Sequence, residues 1–71
     1  MEGPGRNAEV SDEEILDVFR NASDPVLTTM EVGEEIGLRQ RGTYDRLRKL
    51  VEEGELQTKK AGNASVWWLP D

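Results

Sequence analysis

The chain has no cysteine and no histidine among its 71 residues. Zinc fingers, thiol chemistry and a Ser-His-Asp triad are therefore excluded, and a metal site would need carboxylates alone. No cofactor or metal is expected. No apolar run approaches the length that crosses a bilayer, and no basic and apolar start resembles a signal peptide, so the expected compartment is the cytoplasm with no membrane partner. Glu34-Glu35 and Glu52-Glu53 are the available paired carboxylates for acid-base work. Adjacent residues on a helix do not face one another, and no nucleophile accompanies them. The chain is not read as an enzyme.

Positive charge is also scarce, with 9 Lys and Arg against 15 Asp and Glu and a formal net charge of −6. Its placement is uneven. Residues 1–38 hold ten carboxylates against Arg6 and Arg20, whereas residues 39–60 hold Arg39, Arg41, Arg46, Arg48, Lys49, Lys59 and Lys60 against Asp45, Glu52, Glu53 and Glu55. The second segment is positive in a negative chain. The acid excess suits either adaptation to a salt-rich cytoplasm or a surface that repels nucleic acid outside that segment.

A chain of this length makes one small domain whose folding buries roughly 60% of the surface that the unfolded chain exposes. The first ten residues, MEGPGRNAEV, have no periodic apolar pattern and are expected to form a disordered lead to a domain at 11–70. Ser11 with Glu14 has the spacing of a reciprocal helix cap, so a first helix opens near Asp12. Ile15, Leu16, Val18, Phe19 and Ala22 form its apolar stripe. Ser23-Asp24-Pro25 stops it, and Pro25 to Thr28 suits a brief extended strand.

Thr28 with Glu31 repeats the capping spacing, with Met30, Val32 and Ile36 expected as the apolar side of a two-turn helix that Gly37 ends and Leu38 plugs. A third helix is predicted from about Gln40 to Glu53, with Thr43, Leu47, Leu50 and Val51 inward and Gly54 as its stop. Glu55 to Lys60 and Ser65 to Leu69 flank Ala61-Gly62-Asn63-Ala64 as a β-hairpin with a Gly-Asn turn. The predicted class is mainly α with a small β-hairpin (α+β). Trp67 and Trp68 must point to opposite faces of their strand; Trp67 with Leu69 is expected in the core and Trp68 partly exposed.

This order resembles a winged helix-turn-helix domain of prokaryotic transcription regulators over about residues 11–70, three helices with a two- or three-stranded antiparallel wing. Thr28 to Leu38 is similar to the positioning helix and turn of that family. Tyr44 to Leu56 is similar to the recognition helix running into the wing. Lys59 to Leu69 resembles the wings of small haloarchaeal regulators, in agreement with the acidic composition. The chain departs from the family pattern where a capping Ser or Thr is replaced by Arg39, a small alcohol by Arg41, a mid-helix alanine by Gly33, and an apolar strand entry by Glu55. The resemblance implies sequence-specific binding of double-stranded DNA, as a homodimer or beside a further domain.

The residues support that implication independently. A duplex carries one negative charge per ~1.7 Å of axis, and its major groove admits a helix, so a DNA reader needs cations and hydrogen-bonding groups on one exposed helical face. With Thr43, Leu47, Leu50 and Val51 inward, Arg41, Tyr44, Asp45 and Arg48 lie outward and Gln40 sits at the exposed start. Gln40 and Arg41 are the candidates for base edges, followed by Tyr44 and Arg48. Arg39, Arg46 and Lys49 suit phosphates. Lys59, Lys60 and Asn63 on the wing suit the backbone or the neighbouring minor groove.

Blander roles compete at each position. Exposed arginines are commonly only a solvated face. Tyr44 equally suits packing on the hairpin, and Asp45 suits an ion pair with Lys49 four residues on better than base readout. Asn63-Ala64-Ser65 fits a glycosylation acceptor, a chance match in a chain without a secretory signal. A winged helix used only for protein interaction, through the acidic first helix and an exposed tryptophan, is the alternative function.

Overall fold

The computed structural model describes residues 10–70. Along the chain run α1 (Asp12–Asn21), β1 (Leu27–Thr28), α2 (Thr29–Ile36), α3 (Gln40–Glu52), β2 (Gln57–Ala61) and β3 (Ala64–Trp68). The strands form one antiparallel sheet in the order β1-β3-β2, with Leu27 opposite Trp67 and Thr58 also opposite Trp67. The brief strand expected after Pro25 thus shrinks to two residues and closes the sheet's far edge.

Both reciprocal caps form. Ser11 Oγ accepts from the Glu14 N–H at 3.1 Å while Glu14 Oε1 accepts from the Ser11 N–H at 2.9 Å; Thr28 and Glu31 repeat this at 3.2 and 2.9 Å. α3 has no such cap, since Arg39 makes no side-chain bond there. Thr43 donates its hydroxyl to the Arg39 carbonyl at 2.8 Å, a bond that ties the side chain to the helix start but supplies no acceptor for the first N–H groups.

The third helix stops one residue earlier than predicted, at Glu52, because the Gly54 N–H turns back to the Val51 carbonyl and the Glu55 N–H to the Leu50 carbonyl. This paired closure needs the left-handed φ of 82° at Gly54. It also delays the hairpin: with its N–H committed to the helix end, Glu55 cannot enter the ladder, and β2 begins at Gln57. At the hairpin tip Gly62 has φ 66° while Asn63 does not go positive, the pattern of a type II′ turn.

The core comprises Ile15, Leu16, Phe19, Leu27, Val32, Leu47, Leu50, Leu56 and Trp67, with Val18, Ala22, Ile36, Val51 and Leu69 packed at its margin. Trp67 is fully buried, and its indole N–H donates to Thr29 Oγ1 at 2.8 Å. That bond draws Thr29 inward and sets the phase of α2. Thr29, Val32 and Gly33 then form the buried face, and Met30, expected inside, is 59% exposed. Residues two apart on a helix differ by about 200° in direction, so Met30 and Val32 do not share a side.

Of the predicted lead, residues 1–9 lie outside the described residues. Val10 packs against the core.

Candidate nucleic-acid interface

α3 lies with Thr43, Leu47 and Leu50 buried, which leaves Gln40, Arg41, Tyr44, Asp45, Arg48, Lys49 and Glu52 exposed. The helical period of 3.6 puts Arg41, Asp45, Arg48 and Glu52 along the outermost line. Signs alternate there at spacings of three and four, so α3 is not a uniformly cationic rod. Positive character concentrates at its first turn, which holds Arg41 and no acidic residue and follows Arg39. The first turns of α1 and α2 contain carboxylates instead. Among the described helices only α3 therefore presents its positive dipole end without a neutralising acid in its first turn.

Tyr44 is 41% exposed and sets its ring against Trp67 in an edge-to-face contact, centroids 5.6 Å apart and planes at 74°. One face of the residue packs on the sheet and the other remains open. The two competing expectations for Tyr44 are thus compatible. Its exposed part joins two hollows. A shallow one is lined by Gln40, Arg41, Tyr44 and Asp45. A second, of about 480 Å³, runs from Gln40 and Tyr44 across to Met30, Lys60 and Asn63.

The structure divides the remaining candidates. Lys59 and Lys60 are neighbours in sequence but face opposite sides of β2. Lys60 shares the hollow with Gln40 and Tyr44, whereas Lys59 lines a groove with Phe19, Val26, Val66 and Trp68 on the other side. Arg46 is drawn away from the outer line of α3. Its guanidinium donates to the Val10 carbonyl at 2.7 Å and to Asp12 Oδ1 at 3.1 Å, and its side chain is 30% exposed. It anchors the start of α1 on α3. Asp45 and Lys49 do not come within ion-pair distance of each other; among the described residues the ion pairs are Arg46–Asp12 and those of Arg20 with Glu13 and Asp17. Hydrogen bonds first to Glu13 and then to Asp17 raise the Arg20 pKa and keep that cation tied up on α1.

Trp68 is half-buried and donates its indole N–H to Gln57 Oε1 at 2.9 Å. Glu14, Asp17, Asp24, Glu31, Glu34 and Glu35 line a cleft of about 500 Å³ between α1 and α2. Among the described residues no cluster of three or more His, Cys, Asp or Glu is arranged to hold a metal ion, and no helix is long and apolar enough to cross a membrane.

Solved structures share this path of helices and strands. The PcaV transcriptional regulator from Streptomyces coelicolor, solved with its natural ligand, matches with a TM-score of 0.72 at 24% identity, covering 89% of this chain and 47% of its own. The AntR antimony-specific transcriptional repressor matches with a TM-score of 0.67 at 16% identity, covering 87% of this chain and 56% of its own. The fold is a winged helix. At these identities the likeness is one of fold, and the chain spans about half the length of each structure it matches. No protein-family model and no curated protein matches the sequence.

In the winged helix, α2 and α3 form the helix-turn-helix and the β2–β3 hairpin is the wing. Gln40, Arg41, Tyr44, Lys60 and Asn63 gather where α3 meets the wing, with Arg39 and Arg48 on the adjoining exposed surface. Sequence reasoning missed Met30, Thr28 and Ser65, which line the same hollow. The available signal for Met30 was its two-residue offset from Val32.

Proposed function

We propose that this winged helix is the sequence-specific, double-stranded DNA-binding domain of a transcription regulator. α3 enters the major groove by its N-terminal half, with Gln40 and Arg41 at base edges and Tyr44 and Arg48 beside them. Arg39, Lys49 and Lys60 meet phosphates, and Asn63 at the wing tip approaches the backbone or minor groove. Lys59 serves at most a distant phosphate, and Arg46 acts by holding α1. The observation that carries the reading is the sorting of charge. Gln40, Arg41, Tyr44, Lys60 and Asn63 line adjoining hollows where α3 meets the wing in a chain with net charge −6, while six carboxylates line a separate cleft between α1 and α2. That both structural neighbours are transcription regulators supports it.

Such a function belongs in the cytoplasm, and the acid-rich remainder suits a salt-rich cell interior. Counterion release weakens phosphate contacts steeply as salt rises, so binding there leans on base contacts and shape. The test is a proton-nitrogen NMR titration with a mixed-sequence duplex at low and high potassium chloride, which also reads whether one copy or a homodimer engages a site. Shifts gathered at residues 39–49 and 60–64 support the assignment. Reversing Arg41 and Arg48 to Glu together is expected to weaken binding roughly 100-fold or more while the remaining amide spectrum stays folded. No shift at either salt would replace DNA with a protein partner, for which the groove beside Val26 and Trp68 is the available surface.

A further inference from the structure

Among the large apolar residues, Met30 at 59% is more exposed than Tyr44 at 41% or Val26 at 40%. It is not stray surface. Met30 lines the hollow of about 480 Å³ together with Tyr44 and Ala64, flanked by Gln40, Lys60, Asn63, Ser65, Thr28 and Thr29. The phase of α2 puts it there, since the bond from the Trp67 indole to Thr29 turns Thr29 in and Met30 out. The Tyr44 ring that faces it is held by its edge-to-face contact with Trp67. One buried tryptophan therefore positions both apolar walls of the hollow.

We infer that Met30 is a specificity-determining residue whose thioether, with the Tyr44 ring, seats the 5-methyl group of a thymine. The inference rests on the reading of α3 as the groove-entering helix. Its ground is chemical. In the major groove the thymine methyl is the apolar group that base edges present, and none of the other three bases has it. A hollow with Met30, Tyr44 and Ala64 among its mostly polar lining, beside Gln40, a partner for adenine, and Lys60, a partner for phosphate, matches an A·T step whose backbone passes the wing. The polarizable, unbranched methionine side chain adapts to a small protruding methyl. A thymine at this position is preferred through contact and not through hydrogen bonding, which makes the preference resistant to salt.

The experiment selects bound duplexes from a random pool, then replaces each thymidine of a selected duplex singly by deoxyuridine, which removes only the methyl. Binding is followed by fluorescence anisotropy for the wild type and for Met30→Ala and Met30→Leu. At one position the wild type is expected to lose roughly four-fold in affinity on deoxyuridine, the scale of one buried methyl. Met30→Ala is expected to bind thymidine and deoxyuridine equally at that position, and Met30→Leu to restore the difference. Indifference of the wild type to deoxyuridine at every position overturns the inference but leaves DNA binding standing. A thymidine preference that survives in Met30→Ala overturns the role of Met30. Failure to bind or enrich any duplex overturns the groove reading itself, and the inference with it. Because Met30 is exposed, loss of fold does not obscure these outcomes.

Discussion

Gly33 and Gly42 both sit inside helices, yet replacing each by alanine is expected to move stability in opposite directions. At Gly33 an added Cβ would lie 2.9 Å from the Leu38 carbonyl oxygen and 2.9 Å from Thr43 Oγ1. Neither neighbour yields easily. The carbonyl belongs to the backbone of the turn between α2 and α3, and the fully buried Thr43 hydroxyl is committed to the Arg39 carbonyl at 2.8 Å. Two such approaches place the penalty near the upper end of the overpacking range, about 3 kcal/mol. Alanine recovers about 1 kcal/mol in helix propensity. The net loss is about 2 kcal/mol, a fall in melting temperature of roughly 8 to 16 °C for a domain of this size.

At Gly42 an added Cβ meets nothing within 4 Å, so only the propensity gain remains. In a first helical turn this is about 0.5 kcal/mol, a rise of roughly 2 to 4 °C. Thermal melts by far-UV circular dichroism compare the two variants directly. Removing the hydroxyl first, with Thr43→Ala, should reduce the penalty of Gly33→Ala, since the two substitutions share a contact. If Gly33→Ala melts above the wild type, as Gly42→Ala is expected to, then the close approach of α2 to α3 is wrong and the glycine is merely a poor helix residue.

Three further outcomes follow from other contacts. Thr29→Val keeps the shape beside Trp67 but strands its buried indole N–H, an expected loss of about 1 to 3 kcal/mol visible in denaturant unfolding; an unchanged midpoint would show that the bond contributes nothing. Arg46→Ala releases Val10 and Asp12 and is expected to lower stability by about 1 kcal/mol. Its DNA affinity under conditions where it stays folded should match the wild type, whereas a phosphate-binding Arg46 would lower both the affinity and the salt slope. Finally, acids at −6 net charge repel one another, so the melting temperature should rise between low and molar potassium chloride; a midpoint that does not rise removes the case for salt adaptation.

The sequence by itself determined where the helices begin and end and which segment bears the cations. The capping boxes at Ser11–Glu14 and Thr28–Glu31 join residues three apart, and the left-handed glycines Gly37, Gly54 and Gly62 stop helices or turn the hairpin locally. Such interactions act within one turn, so a linear pattern contains them whole. Strand alternation was equally legible and placed Trp67 inside; applied to Lys59 and Lys60 it separates them as well. Only the tertiary structure decided which group on α2 serves the buried indole and the duty of Arg46. Those follow from the bond of Trp67 to Thr29, 38 residues away, and from the reach of Arg46 to Val10, 36 residues away. Both outcomes depend on which surfaces the packed core brings together. The spacing of Met30 from Val32 already separates the two around α2, but the pairing of the buried indole, which needs an acceptor, with Thr29 depends on the packed core.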